Sequence, residues 1–468
     1  MAYQREYQYD IFEAVFQYPL HPRHELILLG NRIDWDNIQD RLSTYYSSMG
    51  RQAKDIRLMV GLHILKHRFN LSDEKVVKGL HENVYWMSFC GVSLKPRYRI
   101  NERGEKQFIP CEFLEASSMT KFRKGIGPEG MRIVEEVIRE RLISEDKICP
   151  RTQLIDTTCM EKNIAYPTGL LDKGRRILIK TISNIKNYGV KVPSHLRSFK
   201  RVSKGIIIEI NKWGKGRKEN IESGAKRLIT YAHHIVRQVP KIIHTTEHKI
   251  KRYIRKGRDK EKMALERLKH KLNEQTKLVE RVIHQTIERF KGNHIAHKIL
   301  SLHEPEVVCI RKGKRKRPHE YGSKVLISID RHGYIVDHKE YASNPCDSNL
   351  LEAACQGWEN SVGSPAKEIG ADRAFHRNQD VKTPHVSKGK RVSIHTKGKG
   401  PHTQANTSWF KRLQRLRAKI EPVISHLKNE HRMDRSRYKG FEGDQINVSL
   451  AVIAWNTKKW NKTMVSMT

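Results

Sequence analysis

Negative charge is scarce in this chain of 468 residues: 51 Asp and Glu stand against 90 Lys and Arg, a formal net charge of +39. Such a balance says nothing about fold, but it points to a polyanionic partner, nucleic acid before an anionic membrane surface. The seven cysteines are scattered, with no CxxC pair. That supports neither a zinc ribbon nor a disulfide framework; reduced thiols in a cytosolic protein are expected. No apolar run approaches the roughly 18 residues of a membrane span. The N-terminus MAYQREYQYDIFE is polar and charged, unlike a secretory signal. A soluble, cytoplasmic protein with no membrane partner is therefore expected, long enough for two or three cores.

Residues 1–50 begin irregularly. From Lys54 to Phe69 the apolar positions Ile56, Met59, Val60, Leu62, Ile64 and Leu65 recur at helical spacing, and Ser72 is placed to cap a second helix through Val76, Val77 and Leu80. The pair resembles a helix-turn-helix, as any helical hairpin does. Another amphipathic helix is expected over 129–143. The texture changes at 152–183, where TQLIDTT and RRILIKTI are short apolar runs that suit strands. Helix returns over 226–290. A basic knot, RKGKRKR, occupies 311–317, and GSKVLISIDRHGYIVDHKEYA reads as a β-hairpin turning at Arg331–Gly333. A helix over 347–357, a short strand ending at Asp372, a basic loop over 376–400, a helical region over 405–432 and a core helix through VSLAVIAW follow. The order suggests an α/β domain interrupted by helices: a helical domain over 1–145, a core in two parts (146–195 and 301–445), an insert over 196–300 and a C-terminal helix over 446–468.

Between Val381 and Ile420 the chain has no carboxylate at all, and Glu421 ends that gap. On a helix, Arg417, Glu421 and Lys428 fall within about 40° of one another, beside an apolar arc made by Leu413, Leu416, Ile420, Val423, Ile424 and Leu427. Pro422 is expected to kink the helix or restart it there. An inert Arg–Glu surface pair, worth about 0.3–0.5 kcal/mol, accounts for the spacing. Two other carboxylates change the odds. Asp156 closes LI and Asp372 closes EIGA, each where a strand ends, and α/β sheets gather their sites at the carboxyl ends of strands. Two such aspartates with a helix-borne glutamate offer the hard oxygen ligands that Mg²⁺ takes at two-metal phosphodiester sites. Asp330 competes as second ligand, but the hairpin turn explains it.

The spacing Arg417-x3-Glu421-x6-Lys428 resembles the signature of DDE transposases of bacterial insertion sequences. LIDTT and ADRAF resemble that family's two aspartate strands. NIAYPTGLLDKGRRIL, SLHEPEVVCIRKGK and HEYGSKV are similar to blocks of its insertion-sequence-five group and close relatives. The resemblance runs from about residue 20 to 460. It implies a ribonuclease-H-like core and hydrolysis at the element's ends with Mg²⁺, or Mn²⁺ in its place. It also implies joining of the freed 3′ ends to target DNA. Asp156, Asp372 and Glu421 become catalytic metal ligands, while Arg417, Lys428 and Arg373 contact DNA phosphate. Gln414 stands where the family carries Tyr, and Arg373-Ala374-Phe375 where Arg-Gly-Tyr is common. Double-stranded DNA, both terminal inverted repeats and target, is the implied partner of a homodimer associated with the bacterial nucleoid. Lys312, Lys314, Arg315, Lys316, Arg317, Lys388, Lys390 and Arg391 are candidate DNA contacts. Two alternatives remain open: a non-catalytic DNA-binding regulator, and a ribonuclease-H-fold nuclease without strand transfer.

Overall fold

The computed structural model describes residues 20–46, 53–92, 97–100, 106–109, 114–162, 164, 169–213, 218–311, 319–376, 391–396 and 405–465. Two compact units divide the chain. One comprises Met1–Asn163 with Ile310–Thr468, the other Ile164–Cys309.

Among the described residues of the first unit, the leading region is helical apart from one antiparallel strand pair, β1 (Arg97–Ile100) and β2 (Lys106–Ile109). Its helices are α1 (Glu25–Arg32), α2 (Trp35–Ser43), α3 (Ile56–Arg68), α4 (Asp73–Glu82), α5 (Val84–Phe89) and α6 (Ala116–Ser144). Regular structure thus begins earlier than the irregular opening expected, because Glu25–Arg32 is capped by His24 and buries Leu26 and Leu29. Ser72 caps α4 as its position predicts, its hydroxyl accepting from the Lys75 amide. Within α6, Gly127 adopts φ 63° ahead of Pro128, which bends the helix one turn before the stretch that packs on the sheet.

The sheet is built on β3 (Thr152–Lys162). β5 (His319–Ile329) lies antiparallel to it, and β6 (Ile335–Tyr341) antiparallel to β5. On the other side β7 (Glu368–Ala371) runs parallel to β3, and β8 (Arg391–Ser393) parallel to β7. β4 (Val308–Arg311) also pairs with β5, and β9 (Arg435–Ser436) with β3. The hairpin joining β5 to β6 turns where the sequence predicts. Asp330 closes it by accepting from the amides of His332, Tyr334 and Cys149, so its role is that of a turn residue. α12 (Leu351–Val362), α13 (Ser408–Arg417), α14 (Ile420–Asn429) and α15 (Gly440–Val465) complete the unit. One continuous apolar core joins leading helices to sheet, with Leu62, Val134, Ile155, Trp358 and Ile453 among its members. A second group of buried side chains, including Leu154, Ile327, Val423 and Val448, fills the other side.

The helix expected over 405–432 is two helices, and the break falls at Ala418–Lys419, upstream of Pro422. Continuing the helix would press the Pro422 ring against the Ala418 carbonyl, four residues back. Restarting at Ile420 instead places the proline in the first turn, where its missing N–H costs nothing.

The second unit is helical: α7 (Leu170–Asn187), α8 (Lys200–Trp213), α9 (Lys218–Val236), α10 (Val239–Arg255) and α11 (Asp259–Phe290). RRILIKTI, expected as a strand, lies inside α7. Leu171, Leu178, Ile182 and Ile185 recur at helical spacing and enter this unit's core with Leu272 and Val279. Gly174 sits against Val279, where a Cβ would approach to 2.8 Å, so the two helices pack closely there. The expected insert, 196–300, is part of this unit, which begins at Ile164 because α7 packs with it.

Candidate functional site

Register places the two aspartates together. Ile155 is opposite Ala371 across the parallel β3–β7 pair, so the next residue of each, Asp156 and Asp372, stand side by side. Past Ala371 the chain leaves the sheet. Asp372 caps a short 3₁₀ turn, Arg373–Phe375, its carboxylate accepting from the Arg373 amide at 2.7 Å. Asp156 likewise accepts from the Thr157 amide at 2.7 Å.

Glu421 and Arg417 arrive from the helices that cover this sheet edge. α13 crosses β7 at Gly370, where a Cβ would lie 3.1 Å from Leu154 and 3.4 Å from the Leu413 carbonyl. That close crossing carries Arg417 to the two aspartates; Asp372 follows the last residue of β7, but Asp156, expected at a strand end, lies inside β3, whose pairing with β5 continues to Glu161. Its guanidinium lies 3.8 Å from Asp156 and 3.5 Å from Glu421, bridging the two carboxylates. The Arg417–Glu421 contact survives the helix break between them. Gln414, in the place of the signature tyrosine, donates to the Ser393 carbonyl at 2.8 Å and to the Ser393 hydroxyl at 3.0 Å, tying α13 to β8.

The site's electrostatics favour an added cation. Burial pushes the Asp156 carboxyl up to about 6, and the nearby charges of Asp372 and Asp347 add to the push; the Thr157 amide and Arg417 oppose it. Asp347 is a residue the sequence did not single out, since an aspartate opening a helical turn reads as a cap. It accepts from the Thr157 hydroxyl at 3.0 Å and pairs with Lys324 at 2.6 Å, so its place beside Asp156 follows from strand pairing and not from any local pattern.

Of the expected phosphate contacts, Arg373 follows Asp372 directly and Lys428 lies one turn and more beyond Glu421 on α14. Arg391 opens β8, 3.8 Å from Glu368. Lys312, Lys314, Arg315, Lys316, Arg317, Lys388 and Lys390 lie outside the described residues, as does most of the expected 376–400 loop. Asp156, Asp372 and Glu421 are a hard oxygen donor set suited to Mg²⁺. Among the described residues, however, no group of three or more His, Cys, Asp or Glu side chains stands close enough together to share one ion. Arg417 occupies the space between Asp156 and Glu421, and the Glu421 side chain is 66% exposed.

Asp156 within β3 and Asp372 just past the end of β7 are thus faced by Arg417 and Glu421 from two successive helices. A family described as "Transposase domain (DUF772)" matches residues 15–100, and one described as "Transposase DDE domain" matches residues 331–460. The chain belongs to the DDE transposases of insertion sequences. It is also similar to the "Uncharacterized protein ORF8 in nfe locus" of Rhizobium meliloti, 31% identical over 213 residues that make up 44% of this chain and 94% of that protein. No solved structure matches. No helix of the described residues is long and apolar enough to cross a membrane.

Proposed function

We propose that the protein binds the terminal inverted repeats of its own insertion sequence, cleaves DNA at those ends and joins the freed 3′ ends to target DNA, as a homodimer on the DNA. Its branch would be the insertion-sequence-five group and close relatives. The sheet order supports a ribonuclease-H-like core: three antiparallel strands (β6, β5, β3) continued by two parallel ones (β7, β8). The observation that carries the reading is the side-by-side placement of Asp156 and Asp372 with Arg417 and Glu421 facing them.

In this reading Asp156, Asp372 and Glu421 hold divalent metal, Mg²⁺ or Mn²⁺. When bound, it would activate the attacking oxygen and stabilise the leaving one. The chain's own part is to keep the acids poised. Burial and the neighbouring carboxylates make Asp156 costly to ionise alone, so it gains most from a cation. Arg417, now bridging Asp156 and Glu421, is placed to exchange those carboxylates for a DNA phosphate, which a guanidinium grips with two parallel hydrogen bonds. Arg373 and Lys428 flank the same corner and would take neighbouring phosphates.

The test is a duplex bearing one terminal repeat, incubated with and without Mg²⁺. The native protein should cut it only with Mg²⁺, whereas Asp156→Asn, Asp372→Asn and Glu421→Gln should bind it and leave it whole. A variant that still cuts removes that residue from the triad. The Arg417 bridge and the exposure of Glu421 favour a second reading, a DNA-binding regulator without catalysis. Intact DNA under all conditions with the native protein would select it. Cut ends never joined to a second duplex would select a nuclease without strand transfer.

A further inference from the structure

Away from the carboxylate corner, the first unit encloses a cavity of about 740 Å³ walled by α3, the start of α4, α6, the chain around β9 and the start of α15. Seven of its lining residues are cations and three are carboxylates. Its floor is buried and positive. Lys66 and Arg123, 3% and 6% exposed, share the single carboxylate of Asp73 at 2.7 Å each. Beneath them lies the Tyr438 ring, 4.7 Å from the Lys66 ammonium and 4.5 Å from the Arg123 guanidinium. His63, buried and held neutral, faces Arg123 at 3.1 Å and adds no negative charge. Burial and the neighbouring Arg123 push the Lys66 ammonium down to about 8, with Arg432 adding to the push, although Asp73 opposes it.

The rim repeats the imbalance. Arg435 is paired with Glu161 at 2.9 Å, but among the described residues Lys124, Arg437 and Lys439 have no ion-pair partner. Arg432 is held at φ 65°, a conformation that non-glycine residues seldom adopt, with its carbonyl fixed by Asn447. Crowded cations under a cavity of this size are stabilised by an anion, and phosphate is the anion that such Arg and Lys clusters fit.

Distance suggests whose phosphate. The rim is tied to β3 where Glu161 pairs with Arg435, five residues along the strand from Asp156. At about 3.3 Å per residue the separation is about 16 Å. Successive phosphates of one DNA strand rise about 3.4 Å along the axis, so about five steps cover it. We propose that this cavity holds a backbone phosphate of the DNA about five nucleotides from the bond being cut. The inference rests on the DNA-binding reading above and deepens it.

Two measurements test it on the full-length protein. The first is the salt dependence of affinity for a terminal-repeat duplex, compared between the native chain and a Lys124→Ala, Arg437→Ala, Lys439→Ala variant, all three being surface positions that should leave the fold intact. Each lost phosphate contact should make the slope of log affinity against log salt shallower by about 0.9, with affinity at low salt falling tenfold or more. A single methylphosphonate moved along the duplex should weaken native binding most about five phosphates from the cut, and should have no such maximum in the variant. Equal affinity and slope for the two proteins would overturn the proposal. The second measurement is thermal stabilisation by inorganic phosphate. A shift lost in the variant while DNA binding is unchanged would overturn the DNA assignment and give the cavity to a free phosphorylated ligand. Asp156→Asn should bind DNA like the native chain, so failure of the catalytic reading would show in cleavage and leave these measurements intact.

Discussion

Two clusters of carboxylates in the first unit are built from similar parts and arranged to opposite ends. One is closed. His338 on β6 sits between Glu340 at 2.5 Å and Glu135 of α6 at 2.7 Å, and Arg132 and Arg139 neutralise the same glutamates at 3.2 and 3.6 Å. Burial favours the neutral ring, yet the two glutamates outweigh it and lift His338 to about 10. The other is open. Asp156 meets its nearest cation at 3.8 Å, Glu421 lies largely in solvent, and like charges crowd the aspartates. A cluster whose histidine and two glutamates are matched at short distance clamps α6 to the sheet. A cluster left short of positive charge where β7 ends beside the middle of β3 is arranged for something absent from the chain itself.

Breaking the closed cluster should produce the largest effect. His338→Ala leaves Glu135 and Glu340 buried with too little compensation and should cost about 3–5 kcal/mol in chemical denaturation. A loss under about 1 kcal/mol would mean the clamp is not structural. The pH dependence sharpens the same point. His338 has a folded-state value of about 10, above its ordinary 6.5, so the folded protein binds the extra proton. Its contribution is complete below about pH 6.5 and disappears as pH rises toward 10, at up to about 1.4 kcal/mol per pH unit. His338→Gln should flatten that alkaline limb; an unchanged limb would assign it to other groups.

Breaking the open cluster should have the reverse sign. In chelator at pH 8, Asp156→Asn removes a buried charge whose carboxyl is lifted to about 6, and should stabilise the protein by about 1–2 kcal/mol. Added Mg²⁺ should stabilise the native chain and not this variant. Destabilisation in chelator would place Asp156 with the structural carboxylates. The smallest expected effect is at the joint beside it: Gln414→Ala, losing its bonds to Ser393, should cost about 1 kcal/mol, read from the denaturation midpoint.

The same contrast explains what the sequence could reveal. The strand end at Asp372, the Ser72 cap and the hairpin around Asp330 are local, carried by apolar runs and turn chemistry, whereas Asp156, expected at a strand end, lies inside β3 because that strand's pairing with β5 runs on past it. RRILIKTI misleads because a short run of apolar and basic residues with one threonine fits a strand as well as a buried helix, and only the face continuing through Ile185 decides. The helix break at Ala418 is displaced from its cause, Pro422, by one turn. Asp347, the His338 clamp and the Tyr438 cavity were illegible because each joins residues far apart in the chain, through pairing that no periodicity records.

That Asp156, Asp372 and Glu421 act together on divalent metal is tested most directly by calorimetric titration of Mn²⁺ into the native protein bound to a terminal-repeat duplex, alongside Asp156→Asn, Asp372→Asn and Glu421→Gln. The account predicts binding by the native complex and a loss of tenfold or more in affinity for each variant. Equal Mn²⁺ binding by all four complexes would contradict it.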